Sequence, residues 1–104
     1  MYIVFLRFGP HRAQAPQWME AHNQWIQRGI DEGVFLLAGS LERAQGGALL
    51  AAHTTWEALQ ARIQEDPFVR HGVVEAEIHV ISPSRLAPQL ADVLGPLRAS
   101  FPAA

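Results

Sequence analysis

The 104-residue chain contains no cysteine, and all eight of its basic residues are arginine, so it has no lysine either. Without cysteine there is no disulfide framework, no thiolate nucleophile and no cysteine metal site. Without lysine there is no Schiff-base amine and no lysine general base. Excess positive charge is also missing. The formal net charge is −2, so no basic field invites nucleic acid. No apolar run approaches the ~20 residues of a membrane helix. The apolar stretch Tyr2–Leu6 is short and Arg7 follows it, so neither a membrane span nor a signal peptide is read there. The expectation is a cytoplasmic protein with no nucleic-acid partner and no membrane partner.

Metal-ligand spacing is absent as well. His11, His22, His53, His71 and His79 form no HxH or HExxH pattern, so no metal, no haem and no other cofactor is expected. His79 could share a strand face with Glu75 and Glu77 as metal ligands, but alternating polar residues on a wet face explain that spacing too. Ser40 lacks the surroundings of a GxSxG nucleophile elbow. No helix start with Lys-Ser/Thr follows Gly46-Gly47, so that pair is not a phosphate loop.

What is present is a hydrophobic content of 49%, enough for one compact domain over residues 1–104. Tyr2–Phe8 reads as a strand that is apolar on both faces. From about Pro16 to Glu32 the period becomes helical. Trp18, His22, Trp25, Ile26, Gly29 and Ile30 fall on one stripe, with His22 near its centre. Gly33 suits a left-handed cap. Val34–Ala38 and Ala48–His53 read as strands joined by a polar hairpin loop, Leu41–Gly47. The small residues Ala51 and Ala52 leave space above the sheet.

Thr54 to Glu57 reads as a capping box that starts a second helix, which runs to Glu65. Val73–Ile81 is the fourth strand, with Glu75, Glu77 and His79 opposite its apolar face, so it is either an edge strand or one with a wetter face. After Ser82 a short helix is read at about Pro88–Leu94, with a loose end beyond it. The core is therefore residues 1–83, and residues 84–104 are a C-terminal extension.

The order is β-α-β-β-α-β. Right-handed crossovers make this a ferredoxin-like α+β fold, a four-stranded antiparallel sheet with two helices on one face. The first and third strands are then central. The opposite face has no helix of its own, and a bare apolar face calls for a partner subunit or the C-terminal tail. A homodimer is expected.

Asp66 is placed at a corner, because Pro67 disfavours the α region for the residue before it and ends the helix. Its carboxylate can turn inward and meet His22. Such a pair can act chemically: a carboxylate on one ring nitrogen fixes the tautomer while the other nitrogen moves a proton. It can also be structural, with Asp66 merely satisfying a buried histidine or its own downstream N–H groups. Arg7 is a candidate for holding a substrate carboxylate, or else for a salt bridge or subunit contact. Ser40 is a candidate hydrogen-bonding group at a pocket rim. Trp18, Trp25 and Trp56 read as core.

His22 followed by Asp31-Glu32-Gly33, then Leu36-Leu37-Ala38-Gly39, then Asp66-Pro67-Phe68-Val69 with Gly72-Val73, resembles the YciI-like (YCII) family. The likeness runs from the first strand to about Pro83. Ser40 departs from it, standing where the family often has proline, and the tail after Pro83 is longer than in short members. The resemblance implies a ferredoxin-like fold of the dimeric α/β-barrel type, similar to muconolactone isomerase. It also implies a small-molecule pocket beside His22 and Asp66. From the placement of the elements, that pocket is expected to be roofed by the first helix and bordered by Gly39, Ser40 and Phe68. Relatives include a dehydrochlorinase acting on a chlorinated ring-cleavage or hydroquinone-type compound.

The function expected is a lyase or isomerase that uses the His22–Asp66 pair as general acid/base on a small, aromatic-derived acid. Two alternatives stay open: a non-catalytic small-molecule binding or accessory protein, and a cofactor-free or haem-binding monooxygenase of the dimeric barrel type.

Overall fold

The computed structural model describes residues 1–95. Strand β1 (Tyr2–Phe8) leads through a 3-10 turn at Arg12–Gln14 into helix α1 (Ala15–Asp31). Strand β2 (Phe35–Ser40), a second 3-10 turn at Glu42–Ala44 and strand β3 (Gly46–Ala51) form a hairpin. Helix α2 (Trp56–Gln64), the one-turn helix α3 (Pro67–Arg70) and strand β4 (Val74–Val80) complete the core. Helix α4 (Pro88–Leu94) occupies the position read for it. The expected loose end beyond this helix lies outside the described residues, from residue 96 onward.

The sheet order is β2-β3-β1-β4 with every neighbour antiparallel, so β1 and β3 are central and β4 is an edge, as expected. The barrel expectation is not met. β2 and β4 are free edges of an open sheet. Closure takes about eight tilted strands, and four cannot curl onto themselves.

Strand alternation sends Val4 and Leu6 toward the helices, where they join Trp25, Phe35, Leu59, Ile63 and Val73 in the core. Trp25 ties the two long helices together, its indole N–H donating to the Arg62 carbonyl at 3.0 Å. Gly29 lets α1 approach β2 closely, since a Cβ there would collide with the Phe35 ring. The chain then turns at Gly33, whose φ of +76° is the left-handed conformation expected of the cap.

Several local expectations shift. The cap of α2 is Thr55 and not Thr54: Thr55 is extended, and its hydroxyl accepts from the Ala58 N–H at 3.1 Å. Ile30 lies off the buried stripe of α1 and is 41% exposed. Ala51 and Ala52 are packed in the interior, so the open space lies at the glycine end of β3 instead. A register irregularity between Phe35 and Leu37 marks β2.

Candidate functional site

Asp66 sits between α2 and α3. Pro67 occupies the first turn of α3, and Asp66 takes the extended conformation (φ −63°, ψ 122°) that a residue before proline prefers. That conformation makes it the N-cap of α3, with Oδ1 accepting the Phe68 N–H at 2.9 Å. The same Oδ1 lies 2.8 Å from Nδ1 of His22, 44 residues earlier in the chain. One oxygen of Asp66 therefore makes both the helix-capping contact and the contact with His22. Asp66 is fully buried, and its Oδ2 has no hydrogen-bond partner among the described residues.

His22 is almost as buried, at 8% exposure. The Phe68 ring stacks on the imidazole with centroids 3.9 Å apart and planes within 5°. Asp66 and Phe68 are two residues apart, so one corner supplies both the acceptor at the ring edge and the slab against its face. An ionised carboxylate can only accept, so the short contact assigns a proton to Nδ1; in the neutral ring the lone pair is then on Nε2. Nε2 has no hydrogen-bond partner among the described residues.

A cavity of ≈ 290 Å³ adjoins this ring. Leu6, Phe8, Leu49 and Val74 form its floor, and Met19, His22, Asn23 and Ile26 line it from α1. Gly39, Ser40, Gly46 and Gly47 border it from the β2–β3 hairpin, and Phe68 closes the side beside His22. Its size is near the lower end of the ~300–1,000 Å³ of small-molecule sites. Gly46 is needed there: its φ is +116°, and a Cβ would run into the Leu6 carbonyl. A second hollow of ≈ 480 Å³ between α2 and β4 is lined by Trp56, Gln60, Ile63, Ala76 and Ile78 among others, and offers no acid, base or nucleophile.

The structure thus brings His22, Asp66, Gly39, Ser40 and Phe68 together. It places Arg7 elsewhere. Arg7 alternates with Leu6 and Phe8, so it lies on the sheet face away from the cavity. There its Nε donates to Glu77 Oε2 at 3.4 Å and its guanidinium lies over the Phe5 ring. Glu77 also meets Nε2 of His79 at 2.5 Å. These contacts, that with His79 first, hold the Glu77 carboxyl below its usual range. No group of three or more His, Asp or Glu side chains is placed to share a metal ion among the described residues. No helix of the described residues is long and apolar enough to cross a membrane.

Sequence reasoning missed Met19 and Asn23. The signal was present: Met19, His22, Asn23 and Ile26 recur at i, i+3, i+4 and i+7. The buried stripe His22, Trp25, Gly29 is its neighbour on the same helix. His22 belongs to both, so it marks the border between core and cavity and not the centre of one stripe.

No curated protein matches the chain significantly in sequence. Among solved structures, the chain resembles 5-chloro-2-hydroxyhydroquinone dehydrochlorinase (TftG) from Burkholderia phenoliruptrix AC1100, determined in complex with 2,5-dihydroxybenzoquinone. The TM-score is 0.63 at 13% identity, covering 78% of this chain and 93% of that one, a likeness of fold. A family model described as the YCII-related domain matches residues 1–81, which hold both members of the buried pair and every residue named around the cavity. The chain belongs to the YCII-related family.

Proposed function

We propose that the protein is an acid–base enzyme of lyase or isomerase type, acting on a small aromatic-derived compound in the cavity beside His22. The observation that carries this reading is the asymmetry of the imidazole. Nδ1 is held by a fully buried carboxylate, while Nε2 is left without a partner on a ring that lines a cavity. A buried histidine used only for structure is expected to have its nitrogens satisfied by protein or ordered water and no cavity left for a substrate beside it.

In this mechanism Nε2 removes an activated proton from the substrate, and Asp66 stabilises the imidazolium that results. The proton returns to another substrate atom in an isomerisation, or to the departing group in an elimination. Ser40 and Asn23 offer hydrogen bonds to substrate oxygens. The apolar floor and the Phe68 face favour a ring-sized body. TftG, of similar fold, is a dehydrochlorinase whose complex holds a dihydroxybenzoquinone, which agrees with a ligand of this size and kind.

The test is NMR in D₂O with a panel of small hydroquinone, quinone and benzoate derivatives, 5-chloro-2-hydroxyhydroquinone among them. It follows deuterium incorporation or loss of a group. His22→Gln keeps a donor for Asp66 while removing the base, and should slow the reaction by ~10²–10⁴-fold. Asp66→Asn should be the gentler change. A folded His22→Gln protein with undiminished rate overturns the reading, as does a wild-type protein that binds members of the panel and transforms none, which leaves a binding protein.

The working unit in this reading is a homodimer. The sheet face away from the helices carries the row Ile3, Leu50, Leu37, with Phe5 beside it, and Leu37 is 59% exposed. A second copy of the chain would cover this row. Light scattering at micromolar concentration should give twice the chain mass, and a mass of one chain contradicts it.

A further inference from the structure

One residue of the cavity wall, Phe8, carries an arginine packed against its ring, on a different element from Arg7. Arg12 begins the 3-10 turn between β1 and α1, and its side chain lies over the Phe8 ring, with the guanidinium carbon 4.2 Å from the centroid. Phe8 is half-buried and is itself part of the cavity wall, whereas Arg12 is exposed. The positive charge is therefore parked against a ring that bounds the cavity. Arg7 and Arg62 are each engaged by a carboxylate, Glu77 and Glu32 respectively, but Arg12 has no ion-pair partner among the described residues.

Among the described residues, the wall contains no carboxylate, and His22 is its one ionisable side chain. An anion entering would meet no like charge, and a cation would find no acid to pair with. A guanidinium packed against an aromatic face can still offer N–H groups to a planar, two-oxygen acceptor.

We propose that Arg12 is the anion-recognising residue of this cavity, selecting ring-sized ligands that carry a carboxylate. The ring of such a ligand lies on the apolar floor of Leu6, Leu49 and Val74, and its carboxylate reaches outward to Arg12. The far edge of the ring then faces His22. This assignment rests on reading the cavity as the substrate site, and it narrows the substrate class to aromatic-derived acids.

The experiment is isothermal titration of the full chain with a matched pair, 2,5-dihydroxybenzoate and 2,5-dihydroxybenzamide. They share a ring and differ in charge. The wild-type protein should bind the carboxylate about tenfold more tightly than the amide, the worth of one charge-assisted contact at a partly hydrated rim. Arg12→Gln should bring the ratio to about one by weakening the carboxylate alone, since an exposed side chain is exchanged without disturbing the core.

A wild-type protein that binds neither probe, or binds both equally, overturns the proposal without any variant being needed. Arg12→Gln with an unchanged ratio overturns it as well. The acid–base reading fails separately. If His22→Gln leaves turnover intact while Arg12→Gln erases charge selectivity, anion recognition stands and the base assignment falls; the opposite pattern removes Arg12 alone.

Discussion

His22→Ala should be the most costly single change at the site, and the cost should depend on Asp66. In the native protein the Asp66 carboxylate is fully buried and held through one oxygen, by the His22 ring and the Phe68 N–H. Deleting the ring leaves that charge with a single neutral donor. Breaking a buried pair from one side costs about 3–5 kcal/mol. A domain of this length has roughly 5–15 kcal/mol in all. Asp66→Asn removes the charge and keeps an acceptor for both donors, but sets an amide N–H₂ where Oδ2 has no partner. That costs about 1–3 kcal/mol. With the charge gone, losing His22 forfeits only a neutral contact and the packing on Phe68. The double variant should therefore be less destabilised than the sum of the two by about 1–3 kcal/mol. Urea denaturation at neutral pH, followed by tryptophan fluorescence, reads this directly, because Trp25 lies 5.9 Å from the His22 ring. The midpoint of His22→Ala should fall by about 2 M. Additivity within about 0.5 kcal/mol would refute the reasoning, because residues that share no interaction add that closely.

Three further outcomes follow from the geometry. Gly29→Ala forces a methyl into the Phe35 ring and should cost at least about 1–3 kcal/mol in the same urea experiment, against a small gain were the position open. Thr55→Ala removes the α2 cap and should cost about 1 kcal/mol, whereas Thr54→Ala should be near neutral; equal effects would contradict the assigned cap. The Glu77 carboxyl is held below its usual range by His79 and then Arg7, so its folded-state pKa lies below the unfolded one. Its contribution is present above the unfolded value of 4.5 and is lost as pH falls through the folded value, so Glu77→Gln should flatten the acid limb of the Tm–pH profile; an unchanged limb refutes the link.

The contact between His22 and Asp66 was legible because each half of it is local. Pro67 dictates the conformation of Asp66, and helical period places His22 on the inner side of α1. Strand order followed from the β-α-β-β-α-β sequence of elements and right-handed crossovers, and the two-sided apolarity of β1 and β3 agreed with it. What could not be read was which face of β1 the helices cover. Ile3 and Phe5 are as apolar as Val4 and Leu6, so alternation divided the residues without saying which set faced the cavity. Arg7 was therefore a fair candidate that fell on the far side. Helix α3 was invisible because one turn carries no periodicity, and the irregularity in β2 leaves no composition cue. The barrel expectation came from resemblance alone; nothing in the strand pattern called for closure.

The account turns on the state of one imidazole. Long-range ¹H–¹⁵N NMR of the full chain at neutral pH reads it without any substrate being known. The prediction is a His22 ring protonated at Nδ1, with an unprotonated Nε2 whose ¹⁵N shift moves when 2,5-dihydroxybenzoate is added. A ring protonated at Nε2, with its lone pair turned toward Asp66, would contradict the account.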